Sequence, residues 1–144
     1  MNYPRLLRLR VCLGVVLLGL FPAGCGSGKV KLVPVEGELK INGQPAANIS
    51  VQFLPDGLKG NKGPSSWGTT DKDGKFQLRT QDNQVGAALG PHNVILADLD
   101  EDRPPQGQPQ RKPSRIPREF TTVGPRGLNA EVTEGGGPVK LNIN

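Results

Sequence analysis

Three short stretches of this sequence carry side chains that could do chemistry. Cys25 offers a thiol that can be acylated or oxidised to a disulfide, and His92 is the only histidine in the chain. Asp71 and Asp73 stand two positions apart in "DKDG", as the first oxygen ligands of a calcium loop do. What these residues do depends on the elements that position them and on the neighbours that they meet.

The start of the chain has the pattern of an export signal. Arg5, Arg8 and Arg10 precede eleven uncharged, mostly apolar residues from Val11 to Phe21, which is a basic region followed by a hydrophobic one. As a helix this run would span about 17 Å, well short of the roughly 30 Å hydrocarbon core of a bilayer. We therefore predict a signal peptide over residues 1–24 and no transmembrane helix there.

The segment "LLGLFPAGC" resembles a bacterial lipobox, since the small residues Ala23 and Gly24 directly precede Cys25. In such precursors the thiol takes a diacylglyceryl group, and the chain is cut just before the cysteine. The resemblance implies cleavage between Gly24 and Cys25, an acylated Cys25 held in membrane lipid, and a tether over residues 25–32. Pro22 stands where lipoboxes usually have Leu, which leaves ordinary secretion or an uncleaved anchor as alternatives.

Two further observations follow from the predicted cleavage. A disulfide at Cys25 is disfavoured, because the only other cysteine, Cys12, lies within the signal peptide. The first 24 residues hold three of the 18 basic residues and none of the 13 acidic ones, which leaves a net charge of +2 for the rest. Lys and Arg are scattered among acids rather than clustered, so we expect no nucleic-acid binding.

The remaining 120 residues have the pattern of an all-β domain. Short alternating runs are separated by turn residues, such as Asn42-Gly43, which tolerates the positive φ angles of a type I′ turn. The following "QPAAN" indicates a longer, partly bulged connection to the next strand, so a two-residue hairpin is left open here. Inward sides of strands are predicted at Val35, Gly37, Leu39 and Ile41; at Ile49, Val51 and Phe53; at Phe76 and Leu78; and at His92, Val94 and Leu96.

The end of the chain, "LNAEVTEGGGPVKLNIN", predicts a closing hairpin. In this hairpin one apolar side faces the other, namely Leu128, Ala130 and Val132 against Val139, Leu141 and Ile143. About seven strands result, which is enough for a two-sheet, immunoglobulin-like sandwich over residues 33–144.

Four segments together resemble a known family. They are "VEGELKINGQPAANISVQFLPDG", "GTTDKDGKFQL", "GAALGPHNVILAD" and "IPREF", and they are similar to the carboxypeptidase regulatory-like, transthyretin-type β-sandwich domains of planctomycete-type bacterial lipoproteins. The similarity covers roughly residues 33–143. The family usually has Tyr where this chain has His92 and Phe120, which changes the polarity of packing more than the fold.

The resemblance implies an accessory module with no catalytic residue and no cofactor. A hydroxyisourate hydrolase of the transthyretin-like group has a site that resembles a cluster of histidines with Arg and a C-terminal Tyr/Ser-rich motif, whereas this chain has a single histidine and ends in "VKLNIN". No strained G-x-S-x-G nucleophile turn is present in the sequence either. We therefore predict that the protein is not an enzyme and that His92 packs as a strand residue, with a Ser-His-Asp arrangement left open.

Asp71 and Asp73 are weak candidates for a metal site. An EF-hand loop that began at Asp71 would need a bidentate Glu at its twelfth position, where this chain has Asp82. The favoured interpretation is a tight turn in which the Asp71 carboxylate accepts hydrogen bonds from backbone amides. Calcium-stabilised adhesion remains an alternative that depends on these two aspartates.

The segment over residues 98–117 holds five prolines, four acidic residues and four basic residues. This composition cannot form a packed core and predicts an extended, mobile loop, which either contacts a ligand or is an insertion without a role.

Taken together, these patterns favour a non-catalytic envelope lipoprotein that presents a β-sandwich to a protein or glycan partner. Gly26 follows the cysteine, where an Asp would resemble the inner-membrane retention signal of enterobacterial lipoproteins. The sequence therefore favours the outer membrane.

The alternative function is a carbohydrate or small-ligand binding module that serves uptake. Such a module would need a flat sheet face that bears aromatic residues. We expect the aromatic side chains to lie mostly on inward positions, which argues against this alternative; they are Phe53, Trp67, Phe76 and Phe120.

Overall fold

The computed structural model describes residues 30–101, 106–109, 112–135 and 137–144. Residues 1–24, the Gly24–Cys25 cleavage site and most of the predicted tether lie outside this part of the chain. The described backbone forms β-strands and two 3-10 turns, without an α-helix, which confirms the prediction of an all-β protein. Within the same residues we find no helix of the length and apolarity needed to cross a membrane.

Eleven short strands follow one another along the described chain. They are β1 (Leu32–Val33), β2 (Glu36–Ile41), β3 (Gln44–Pro45), β4 (Ile49–Pro55), β5 (Ser66–Thr69), β6 (Lys75–Gln77), β7 (Arg79–Thr80), β8 (Ala87–Ala88), β9 (Gly90–Asp98), β10 (Leu128–Val132) and β11 (Val139–Ile143). The 3-10 turns are Gly57–Lys59 and Arg118–Phe120. The number exceeds the expected seven because some predicted strands are divided between sheets: β6 and β7 are separated by Leu78 alone and pair in different sheets.

The strands form two larger sheets and one small one. The five-stranded sheet is antiparallel throughout, in the order β10-β9-β4-β5-β7. In the second sheet β2 is central, with β11 parallel on one side and with β3 and β6 antiparallel on the other. Strands β1 and β8 form a separate antiparallel pair. The chain therefore passes between the two larger sheets several times.

The two larger sheets contribute to one hydrophobic core. Alternate side chains of β4 and β9 are buried, as the period of two requires. Phe53 of the five-stranded sheet and Phe76 of the second sheet lie with ring centroids 6.5 Å apart. The predicted inward positions of these strands are buried, and the core also includes Leu39, Leu78, Leu141 and Ile143. Ile41 is half-buried and packs against the core.

Two features of the first hairpin depend on residues without a bulky side chain. Asn42 and Gly43 have φ angles of 50° and 78°, and Ile41 pairs with Gln44 around them. This is the two-residue connection with positive φ that the Asn-Gly pair favours.

Gly37 lies opposite Phe76, and a Cβ atom at Gly37 would lie 2.2 Å from Cζ of Phe76. Only glycine therefore allows the aromatic ring to lie over β2.

The prediction of a closing hairpin is wrong. Strand β10 pairs with β9 in the five-stranded sheet, whereas β11 pairs with β2 in the second sheet. Between these two strands the chain passes from one sheet to the other. Val132, Leu141 and Ile143 are nevertheless buried in the common core, so alternation indicated which sides are inward but not which strands are partners.

The sheets have two distinct ends, which we name by Val30 and Asp98. At the Val30 end, Leu32 pairs with Ala88, two residues before β9 begins. Strand β9 then runs to Asp98, which pairs with Ile49 at the start of β4. At about 3.4 Å per residue, the eight steps from Gly90 to Asp98 separate the two ends by about 27 Å.

Candidate functional site

His92 lies near the start of β9 and is 1% exposed. Its Nδ1 lies 2.9 Å from the carbonyl oxygen of Gly90, and because a carbonyl only accepts, this contact assigns the proton to Nδ1. The side-chain nitrogen of Asn61 donates to the carbonyl of Pro91 at 3.0 Å and lies 3.5 Å from both ring nitrogens of His92. The ring packs against Phe53, with centroids 5.6 Å apart.

These neighbours make His92 a neutral packing residue. Burial disfavours the charged imidazolium and lowers the pKa of His92, while the hydrogen bond to Gly90 acts in the opposite direction. Within the described residues no serine and no carboxylate contacts the ring. Ser66 is fully buried in β5, and its hydroxyl has no hydrogen-bond partner. The described part of the chain therefore does not bring a serine nucleophile to the histidine.

A heavily bonded polar cluster lies at the Asp98 end and joins Asp98 to Arg115. Nε of Arg115 donates to Oδ2 of Asp98 at 2.8 Å, and Nη2 donates to Oδ1 at 2.6 Å. The same Nη2 lies 3.0 Å from the carbonyl oxygen of Ala47 and 3.2 Å from Oδ2 of Asp100. The other oxygen of Asp100 accepts from the side chain of Asn48 at 3.2 Å.

The backbone completes the shell around the Asp98 carboxylate. The amide of Asp100 donates to Oδ1 at 3.0 Å, and the amide of Arg115 donates to Oδ2 at 2.9 Å. The hydrogen bond from the Arg115 side chain, which outweighs the opposing effect of burial, lowers the pKa of Asp98 to about 2. Asp98 is 3% exposed, so this is a buried carboxylate that stays charged because a guanidinium holds it.

The Asp98–Arg115 pair fastens the two ends of the predicted loop over residues 98–117. Ile116, beside Arg115, is 4% exposed and belongs to the hydrophobic core. The composition of this segment predicts no contribution to a packed core, and this prediction is wrong for Ile116. The sequence shows opposite charges at the two ends of the segment, but a spacing of 17 positions gives no reason to predict that Asp98 and Arg115 form an ion pair.

Asp71 forms the turn that the sequence favours. Its Oδ1 accepts hydrogen bonds from the amides of Asp73 and Lys75, both at 2.9 Å. The amide of Gly74 donates to the backbone carbonyl of Asp71 at 3.0 Å. Among the described residues, we find no group of three or more His, Cys, Asp or Glu side chains that could hold a metal ion.

Trp67 lies on the outer face of the five-stranded sheet and is 41% exposed. Its cross-strand neighbours are Gln52 on β4 and Arg79 on β7, and Gln52 is in turn paired with Ile95 on β9. The outward position of Trp67 departs from the expected inward placement of the aromatic residues. The expectation holds for Phe53 and Phe76, which are buried, while Phe120 is half-buried against the core.

Comparison with known proteins adds no assignment to this geometry. No protein-family model, curated protein or solved structure matches the chain. The fold and the sites therefore have to be interpreted from the residues of this protein.

Proposed function

We propose that this chain is a lipid-anchored, non-catalytic protein of the bacterial cell envelope. An acylated Cys25 would hold it in membrane lipid after removal of residues 1–24, and residues 25–32 would act as the tether. The β-domain would then offer its loops to an envelope protein or glycan. The sequence around Gly26 favours the outer membrane, with the domain on its periplasmic or surface face.

The separation of the two ends carries this proposal. The described chain begins at Val30, beside the start of β9, and the loop over residues 98–117 is fastened at the far end by Arg115. The distance is about 27 Å along β9. A chain anchored through its amino terminus would thus hold the loop away from the lipid, and loops on a rigid β-scaffold are frequent sites of contact.

Within this proposal, the domain is a sandwich of the transthyretin type and belongs with the carboxypeptidase regulatory-like domains. The single core contributed by the two larger sheets supports this assignment. The positive φ angles of Asn42 and Gly43, which lie within the first of the resembling segments, support it further. The parallel pairing of β11 with β2 is a specific feature that such a relative should share.

The intact mass of the protein from native membranes tests the anchor. We expect a chain that begins at residue 25 and is heavier by two or three acyl chains. The Cys25→Ala variant should remain uncut or leave the membrane fraction, while a Cys12→Ala control should behave as the native chain. An unmodified mass with cleavage elsewhere would contradict the proposal and indicate a secreted protein.

Site-specific photo-crosslinking in intact cells tests presentation at the Asp98 end. Leu99 is 57% exposed at that end, and Val85 is 37% exposed at the Val30 end. A photo-reactive residue at position 99 should give discrete adducts with envelope components that the matched probe at position 85 does not give. Identical adducts at both positions, or none at position 99, would contradict this part of the proposal.

The outward position of Trp67 favours a second candidate function, binding of a glycan to the outer sheet face. An indole ring stacks on the apolar face of a sugar, and the neighbouring Gln52 and Arg79 supply polar groups beside it. Since Trp67 is the only tryptophan, its emission reports directly on such contact.

Titration with soluble peptidoglycan fragments tests this candidate. We expect a saturable change in Trp67 emission. Binding to insoluble peptidoglycan should be at least about tenfold weaker for Trp67→Ala, because one aromatic contact contributes on the order of 1 to 3 kcal/mol. The Val123→Ala control, at an exposed side chain outside the strands, should bind as the native protein does. An unchanged emission would remove glycan binding at this face.

A further inference from the structure

The Val30 end of the molecule carries a leucine that is fully exposed. Leu58, in the 3-10 turn Gly57–Lys59, has a relative exposure of 101%. The carboxylate of Asp56 accepts from the amides of Leu58 and Lys59 at 3.1 and 3.4 Å, and Gly60 closes the turn with a φ of 88°. A capped turn therefore holds Leu58 outward, so its exposure follows from the geometry of the turn.

The contacts of this turn place it at the Val30 end. The amide of Asp56 donates at 2.9 Å to the carbonyl of Pro91, which lies at the start of β9. Two other exposed apolar residues lie at the same end. Val30 is 46% exposed, and Val85 is 37% exposed beside Gln84, which lines a cavity of about 500 Å³ together with Val30.

Scattered apolar residues are ordinary on a protein surface, and what distinguishes these three is the length of chain that precedes them. Five residue steps separate Cys25 from Val30, and at up to about 3.6 Å each they span at most about 18 Å. If Cys25 is acylated, as the proposed function states, the Val30 end cannot move farther than that from the lipid. Such confinement raises the effective concentration of Leu58 at the bilayer surface.

The charges around Leu58 indicate which kind of bilayer contact is favoured. Lys59 pairs with Asp56 at 3.3 Å, and Lys31 pairs with Glu134. Each of these two cations thus has an acidic partner at the same end. Lys62 is exposed there as well, and so is Asp82, which lines the cavity with Val30. Together these side chains leave no excess of positive charge. Contact with lipid would then depend on apolar insertion and not on attraction to anionic headgroups.

We propose that Leu58, with Val30 and Val85 at the same end of the molecule, inserts into the interfacial region of the bilayer that anchors the chain. The inference rests on the proposed function, since acylation of Cys25 supplies the confinement. In this orientation the Val30 end of the domain contacts the membrane, and β9 runs from there away from the bilayer. The Asp98 end, with Leu99 and the Asp98–Arg115 pair, would then face away from the membrane, towards the proposed envelope partner.

Fluorescence quenching by membrane-embedded spin labels tests this orientation. The processed protein is purified from the membranes of expressing cells and reconstituted in phosphatidylcholine vesicles. Its mass is determined first, and if Cys25 is unmodified, its thiol is coupled to a maleimide lipid in the same vesicles. In a Trp67→Phe background, Leu58→Trp provides the reporter and Leu99→Trp the matched control, since both positions are exposed but lie at opposite ends.

A nitroxide placed shallowly in the acyl chain should quench the tryptophan at position 58 at least twofold more than that at position 99. The emission of the reporter at position 58 should shift to shorter wavelength on vesicles, with no dependence on salt or on anionic lipid. Equal quenching at both positions would overturn the proposal, as would quenching at position 58 that requires anionic lipid. Failure of acylation is detected separately by the mass, so the two proposals fail by different observations.

Discussion

Strand β9 buries two ionisable side chains on the same face, and they differ in charge. His92, near the start of the strand, is 1% exposed and has a carbonyl, an amide and an aromatic ring as neighbours. Asp98, at the end of the strand, is 3% exposed and is held by both donor arms of Arg115. Burial lowers the pKa of His92 below its ordinary value, so that its charge is lost, whereas Arg115 lowers the pKa of Asp98 to about 2, so that its charge is retained.

The comparison shows that burial by itself does not determine the charge of a side chain. Desolvation disfavours the charged form at both positions, and the outcome depends on whether a partner compensates for it. The partner of Asp98 comes from position 115, across the Pro-rich segment. The same pair therefore sets the charge of the carboxylate and fastens the loop, while His92 fills space beside Phe53.

Removing the cation should have the largest effect. Arg115→Met leaves the Asp98 carboxylate buried with two backbone donors, the amides of Asp100 and of residue 115. We expect unfolding free energy to fall by about 2 to 3 kcal/mol, less than for a fully buried pair because Arg115 is partly exposed. Urea denaturation measures this loss. The matched control is Arg118→Met, an exposed arginine three positions on, which should change stability by less than about 0.5 kcal/mol. Equal effects of the two substitutions would mean that the Asp98–Arg115 pair contributes little.

Acid should reveal the same pair as a pH dependence. The folded pKa of Asp98 is about 2, below the ordinary 3.8, so the carboxylate stabilises the fold above pH 4 and this contribution is lost as the pH falls towards 2. The shift corresponds to about 2 kcal/mol. In Asp98→Asn the unfolding free energy should depend less steeply on pH between 4 and 2, as measured by urea titrations at several pH values. A slope in this variant as steep as in the native protein would assign the acid sensitivity to other carboxyls.

His92 should give a pH dependence in a different range of pH. Because burial lowers its folded pKa below 6.5, the unfolded chain binds the proton first, and stability should decline as the pH falls below about 6.5. The decline is limited to about 1.4 kcal/mol for each pH unit. His92→Phe should remove this slope, and thermal melts between pH 7 and 5 measure it. A slope that persists in the variant would show that His92 is not its source.

The Asp71 turn should give the smallest effect, because an exposed carboxylate bonds only backbone amides there. Asp71→Ala should cost about 1 kcal/mol through the loss of these two bonds, whereas the Asp73→Ala control should cost less than about 0.5 kcal/mol. Calcium should leave the melting temperature of the native protein unchanged relative to a chelator. A rise with calcium that both substitutions abolish would restore the calcium interpretation.

Much of the fold could be predicted from local patterns. The alternation in β4 and β9 correctly indicated that Val51, Phe53 and Leu96 are inward, because a strand with one buried face must alternate. The Asn42-Gly43 turn could be predicted because its residue types tolerate positive φ. The partner of each strand was harder to predict from the sequence. Six residues between β10 and β11 can either form a hairpin turn or cross between sheets, and the predicted hairpin is not the one that forms.

The polar sites were predictable to different degrees. The Asp71 turn follows from four neighbouring residues, so its hydrogen bonds could be expected from the sequence. Trp67 is exposed although it is the largest apolar side chain, because its position in β5 alternates with the buried Ser66. The Asp98–Arg115 pair joins positions 17 residues apart, and no period or motif indicates a contact across such an interval.

The sequence by itself determined the all-β character, the inward side of the main strands and the tight turns, since each of these depends on residues within a few positions of one another. The tertiary structure decided the partner of each strand, the charge of Asp98, the anchoring of Ile116 and the grouping of Val30, Leu58 and Val85 at one end. These depend on segments that are distant in sequence. Closing such distances costs conformational entropy that only the complete core offsets.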